Sequence, residues 1–175
     1  MPDLGEFRAW LKILALCRIS FNLRGRIDPS DIVQETLCAA VQWQQKVGVR
    51  SRAETMHWLR RKLRDELVDR LRRLKLEPIN MSFLDDYSLD ESSHRIGDLL
   101  PDSQSDAHAK VVREEDALFV ANMLGKLTPP QAEAVVLKHC EGWSVKEISR
   151  HMNNTPGAVG GLLKHGMRHL RELMP

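Results

Sequence analysis

The sequence predicts an all-α chain made of two small helical domains joined by an acidic linker. Three observations predict it. Apolar residues recur at three- and four-residue steps through most of the 175 residues. Only 5% of residues are aromatic, and the short alternating runs between turn pairs that mark strands are missing. Capping signals crowd the C-terminal third, whereas residues 78–110 are acidic and rich in Ser and Asp.

Phe7, Trp10, Leu11, Leu14, Cys17 and Phe21 set out a first amphipathic helix, which Gly25 and Pro29 break. A second helix is expected near Ser30 and Asp31, with Asp31 able to cap it. Val33, Leu37, Ala40 and Val41 share one of its faces. Beyond Gly48, Leu59, Leu63, Leu67, Leu71 and Leu74 define a long third helix that Pro78 ends. Residues 1–77 form the first domain. Residues 78–110 carry too little apolar surface to offset the entropy of ordering them. They read as a linker with short turns around Met81–Leu84 and Ile96–Leu100, either a plain connector or a segment with a role.

The second domain is residues 111–175. Val112 to Leu127 makes a helix with Ala117, Val120, Leu124 and Leu127 inward. Thr128, Pro129 and Gln131 supply a cap, a first-position proline and a capping-box partner. The next helix runs through Val135, Val136 and His139 and stops at Gly142. Ser144 and Glu147 form a second capping box, which opens a short helix to Met152. Asn153-Asn154 turns the chain, and Thr155-Pro156 starts a last helix to about Leu173.

The formal net charge is +2, which hides an ordered pattern. Residues 43–79 carry +6, residues 80–110 carry −5 and residues 138–175 carry +3. Two basic blocks around an acidic one suggest two surfaces that meet a polyanion. No apolar run approaches the roughly 20 residues of a membrane span, so no membrane insertion is expected. The opening MPDLGEFRAW lacks the basic-then-apolar order of a secretory leader. Cys17, Cys38 and Cys140 make no CxxC pair and read as buried free thiols in a reducing, cytoplasmic setting. His139 and His151 form no HExxH, and there is no Gly-rich phosphate loop. No catalytic residue, metal or cofactor is expected.

Three constellations carry function. The first is a helix-turn-helix over residues 144–163, with Val145, Ile148, Val159 and Leu162 at the crossing and Ser149 as its small residue. Asn153 stands where the turn needs positive φ. This geometry offers the start of the last helix to a major groove, although an ordinary helical hairpin fits the same residues. The second is residues 58–73, where leucines form a stripe and Arg60, Arg61, Arg64, Arg72 and Arg73 fall on the flanks and outer face. Arg forks suit phosphate, and Asp65 and Asp69 read as salt-bridge partners rather than catalytic acids. The third is residues 28–37, where Gln34 and Glu35 project outward beside an apolar face.

In this order and spacing the segments resemble a group IV, or extracytoplasmic-function, sigma factor of bacterial RNA polymerase. The TPGAVGGLLKHG stretch is similar to the planctomycete-type branch. The resemblance implies a promoter-specificity subunit with no catalytic residue. Its partners would be core RNA polymerase (the beta and beta-prime subunits), promoter DNA and, as a further candidate, an anti-sigma factor. Asp31, Gln34 and Glu35 would contact the polymerase clamp helices. Trp58, Arg61, Arg64, Asp65, Asp69, Arg72 and Arg73 fall on the helix that meets the minus-ten element, where Trp58 reads as core more than as a base-stacking platform. Ser144, Thr155, Pro156, Gly157, Ala158, Gly160 and Gly161 fall at the minus-thirty-five groove, with Lys164, His165 and Arg168 along phosphate. The acidic linker would thread toward the RNA-exit path.

The chain also departs from the family pattern. Asp65 stands where Asn is common, and Gly160-Gly161-Leu162 where many relatives have Lys-Ser-Arg. That leaves a recognition helix suited to close approach and poor in base-reading side chains. A stand-alone helix-turn-helix regulator with an N-terminal sensing or dimerisation domain is the alternative.

Overall fold

The computed structural model describes residues 3–19, 23–48, 50–75, 95–96, 99 and 110–174. Asp3 opens it: its Oδ1 accepts the Gly5 N–H at 2.9 Å, starting a 3-10 turn over Leu4–Phe7. That turn runs into α1 (Arg8–Arg18). Phe21, expected on this helix, lies outside the described residues. α2 (Pro29–Val47) begins a residue or two earlier than expected, because Asp28 is its cap and accepts from the Ser30 N–H at 2.7 Å. Pro29 fills the first helical position, where its missing N–H costs nothing. Asp31 therefore sits inside the first turn, where its charge still suits the helix dipole. Gly48 ends α2 with φ at 80°.

α3 (Arg52–Arg73) starts on the reciprocal box of Ser51 and Glu54. Leu59, Leu63, Leu67 and Leu71 are buried along it as the leucine stripe requires. Two expectations change here. Arg60 turns inward and is only 5% exposed. The helix stops at Arg73, four residues before Glu77 and five before Pro78, as Lys75 enters positive φ at 51°. On α2, Val41 is 47% exposed and Cys38 is also exposed, while Cys17 and Cys140 are buried. Burial pushes the Cys17 thiol well up, which keeps it unreactive.

The C-terminal helices are α4 (Lys110–Leu124), α5 (Pro129–His139), α6 (Val145–His151) and α7 (Pro156–Leu173). Their capping residues are those the sequence indicates: Ser144 and Thr155 each accept a backbone N–H three residues on. Gln131 Oε1 accepts the Thr128 N–H at 3.3 Å. Ala117, Val120, Leu124 and Leu127 are all buried. The chain is all-α, and no strand occurs among the described residues.

The two helical groups share one core. α1 packs on α2 and α3 and also on α4 and α5. It can do so because Trp10, Leu11, Ile13, Leu14, Ala15 and Cys17 are all buried, an apolar arc of about 200° at 100° per residue. Part of the expected linker joins the same core. Ile96 is fully buried, Leu99 N–H reaches Ile96 O at 3.3 Å, and Arg95 donates to the Cys140 carbonyl at 2.9 Å. The Met81–Leu84 turn lies outside the described residues. No helix among them is long and apolar enough to cross a membrane.

Candidate nucleic-acid interface

The crossing of α6 and α7 is built from local chemistry. Ser144 and Glu147 close a capping box: the carboxylate accepts the Ser144 N–H at 2.7 Å and its hydroxyl at 2.6 Å. Those bonds hold the Glu147 carboxyl below the usual range. Ile148 and Val159 are fully buried at the crossing, and Val145 and Leu162 are half-buried beside them. Ser149 is buried but satisfied, its hydroxyl donating to Val145 O at 2.7 Å. Asn153 takes φ of 49°, and Asn154 links the helices: its N–H reaches Ser149 O at 2.9 Å, and its Oδ1 accepts from Thr155 N–H at 2.9 Å. The tight turn and buried crossing are those of a helix-turn-helix.

What this crossing presents outward is the start of α7. Thr155, Pro156, Gly157, Ala158 and Gly160 are exposed and Gly161 is half-buried. No acid lies in the first turn of α7, so its positive helix end is unneutralised. A Cβ built on Gly157, Gly160 or Gly161 would meet nothing within 4 Å. Nothing among the described residues requires glycine there. Lys164, His165 and Arg168 follow, all exposed, with Arg168 Nη2 3.1 Å from His165 Nδ1.

A cleft of about 550 Å³ opens beside this face, with Lys146, Arg150, Asn153, Asn154 and Thr155 among its lining. The sequence reading passed over Lys146 and Arg150. Their spacing of four, on the side of α6 away from Ile148, is the signal that marks them. It also passed over Gly166, where a Cβ would sit 2.9 Å from Val135 Cγ2. That close approach seats α7 on α5.

The second basic surface is α3. Arg61, Asp65, Asp69, Arg72 and Arg73 are exposed along it, and Arg64 is half-buried. Arg64 holds its neighbour Asp65 at 2.9 Å, and Asp69 meets Arg72 at 3.7 Å. Such exposed pairs are worth little and exchange readily for phosphate. Trp58 is half-buried and stacks on Trp43 of α2, with centroids 4.8 Å apart and planes at 15°. It also borders a recess with His57, Arg61, Lys62 and Asp65. On α2, Asp31 and Gln34 are exposed, whereas Glu35 is held by Arg70 of α3 at 2.5 Å. Asp31, Gln34 and Glu35 therefore lie within two turns of each other, and the minus-ten candidates lie along α3.

Residues 120–170 match the family model described as Sigma-70, region 4. The match spans the end of α4 and nearly all of the three helices after it, with the whole helix-turn-helix inside. No curated protein and no solved structure matches the chain. The helices from the end of α4 through α7 are thus similar to Sigma-70 region 4.

Proposed function

We propose that this chain is a promoter-specificity subunit of the group IV, extracytoplasmic-function kind, of the planctomycete-type branch. It binds core RNA polymerase and directs initiation at promoters with minus-ten and minus-thirty-five elements. One observation carries the reading: the region 4 match falls on a helix-turn-helix whose second helix offers an uncluttered, acid-free start. Asp31 and Gln34, with Glu35 beside them, meet the polymerase. α3 meets the minus-ten element through Trp58, Arg61, Arg64, Asp65, Asp69, Arg72 and Arg73. The site of action is the cytoplasm.

The chemistry is positional. Cations on α3 and beside the cleft release counterions from phosphate, which gives affinity without sequence information. The α7 N-terminus brings partial positive charge and free N–H groups to a phosphate. Bare glycines let the backbone sit deep in a groove, so sequence is read through groove shape more than through base edges.

Run-off transcription with core polymerase on genomic fragments tests the proposal. Transcripts from discrete start sites that need both components are expected. Asp31→Lys should weaken core binding at least tenfold while the fold is kept. Tight DNA binding without core enzyme, and no transcript with it, would instead favour the stand-alone regulator.

A further inference from the structure

We propose that Thr155 is a phosphorylation site, and that its phosphate fills the cleft beside α6 and closes this face to DNA. The proposal names a regulation of the surface described above, and its effect on DNA rests on the promoter reading. Among the described residues, Ser51, Thr128, Ser144 and Thr155 stand at the N-caps of four helices. What lies three residues on differs among them. Glu54 and Glu147 turn back on Ser51 and Ser144, with carboxylates 3.0 and 2.6 Å from the hydroxyls. A phosphate on either serine would meet a like charge and be repelled. Thr128 has Gln131 in that place, whose Oε1 accepts the Thr128 N–H. Thr155 has Ala158, whose N–H donates to the Thr155 hydroxyl at 3.2 Å.

The surroundings of Thr155 suit a phosphate. It borders the cleft of about 550 Å³ that Lys146 and Arg150 also line. Among the described residues neither cation makes an ion pair, whereas Arg64, Arg70 and Arg72 of α3 each hold a carboxylate. Residues 153–158 are exposed without a break, so an enzyme can reach the hydroxyl. A Ser/Thr kinase makes the transfer from a nucleoside triphosphate. The Thr155 oxygen bonds to the terminal phosphorus, and the bond from that phosphorus to the bridging oxygen breaks. The diphosphate leaves, and the hydroxyl proton passes to a base of the kinase. The product carries about −1.5 to −2 at pH 7, enough to cancel Lys146 and Arg150 together. It occupies the two cations that DNA phosphate would use and repels the strand beyond them. The fold is kept, because an anion at this cap suits the helix dipole.

Three measurements on the full chain test the proposal. Mass spectrometry of the chain recovered from its own cells, in growth and in starvation, should find phosphate on Thr155; none in either condition overturns the site. A chain made with phosphothreonine at position 155 then shows where the phosphate goes. Its phosphorus resonance should titrate about half a pH unit or more below that of the same chain unfolded in urea. Lys146→Ala with Arg150→Ala should remove that difference; a difference that persists, or none in the parent, overturns the cleft as its seat. Finally, the phosphorylated chain should lose about tenfold or more in minus-thirty-five DNA affinity, with a salt slope smaller by about 2 for the two lost phosphate contacts. Equal affinity with and without phosphate overturns the switch while the promoter function stands. If the unmodified chain gives no transcript with core enzyme, the promoter function fails, and the phosphorus titration still decides the site.

Discussion

The two halves of α7 use glycine for opposite reasons. In the inner half, Gly166 is buried against α5, and any Cβ there would strike Val135 and crowd the Gln131 carbonyl. In the outer half, Gly160 and Gly161 have open space where a side chain would go. Glycine costs a helix about 1 kcal/mol relative to Ala. At Gly166 that cost is offset by the packing it permits. At Gly160 and Gly161 nothing among the described residues offsets it, which suits the close approach to a groove proposed above. One helix is thus packed tightly at one end and left open at the other.

The largest expected effect breaks the inner half. Gly166→Val should overpack the α5–α7 contact and cost about 3 kcal/mol, toward the upper end for such changes. For a chain of this size the melting temperature should fall by on the order of 10 °C, read by calorimetry or circular dichroism. An unchanged melting temperature would mean that α7 is not seated on α5 through this residue.

The outer half should respond in the other direction. Gly160→Ala with Gly161→Ala should stabilise the fold, by about 1 kcal/mol per site from helix propensity. The same variant should lose affinity for minus-thirty-five DNA, since two methyl groups hold the backbone off the groove. Urea melts and anisotropy titrations on one protein preparation check both signs. A gain in stability with DNA affinity intact would remove the contrast between the halves.

A smaller effect separates charge from shape. The first turn of α7 lacks the acid that α6 has at Glu147. Ala158→Glu would place one three residues after the Thr155 cap and complete a capping box, stabilising the helix by about 0.3–1 kcal/mol. It should weaken DNA binding, and the loss should shrink as salt rises, because the added charge faces phosphate. A loss independent of salt would point to shape alone.

How legible this arrangement was depended on distance along the chain. Every cap and turn of the helix-turn-helix could be read, because Ser144–Glu147, Asn153 and Thr155–Ala158 act within three residues. The leucine stripe of α3 was equally plain. Arg60 was placed on the outer side but is buried, since helical spacing locates a side chain without saying how far a neighbouring helix extends over it. The Asp28 cap was missed in favour of Asp31, although Asp followed by Pro is the stronger start signal. The packing of α1 and the turn after it against the C-terminal helices was the least visible. Arg24 and Glu133 are 109 residues apart, and nothing local pairs them. Its one signal was the excess of apolar residues on α1, where Ile13 and Ala15 widen the face beyond what one partner needs.

The smallest effect concerns the helix that supports α7 and depends on pH. Glu147 lies on the surface, and its carboxyl is held low by the hydroxyl and backbone N–H of Ser144. A carboxyl lowered in the fold adds stability that is fully present above its ordinary value, near pH 4, and is lost as pH falls through the lowered one. Ser144→Ala removes the hydroxyl but leaves the backbone N–H, so part of the lowering should persist. Stability of the parent should therefore fall more steeply than that of the variant between about pH 5 and pH 3. Thr155→Ala, which has no acid three residues on, should shift stability equally at both ends of that range. If the two variants show the same pH slope, the acid at Glu147 contributes nothing that the cap hydroxyl alone does not. The bare start of α7 would then be a matter of shape and not of withheld charge.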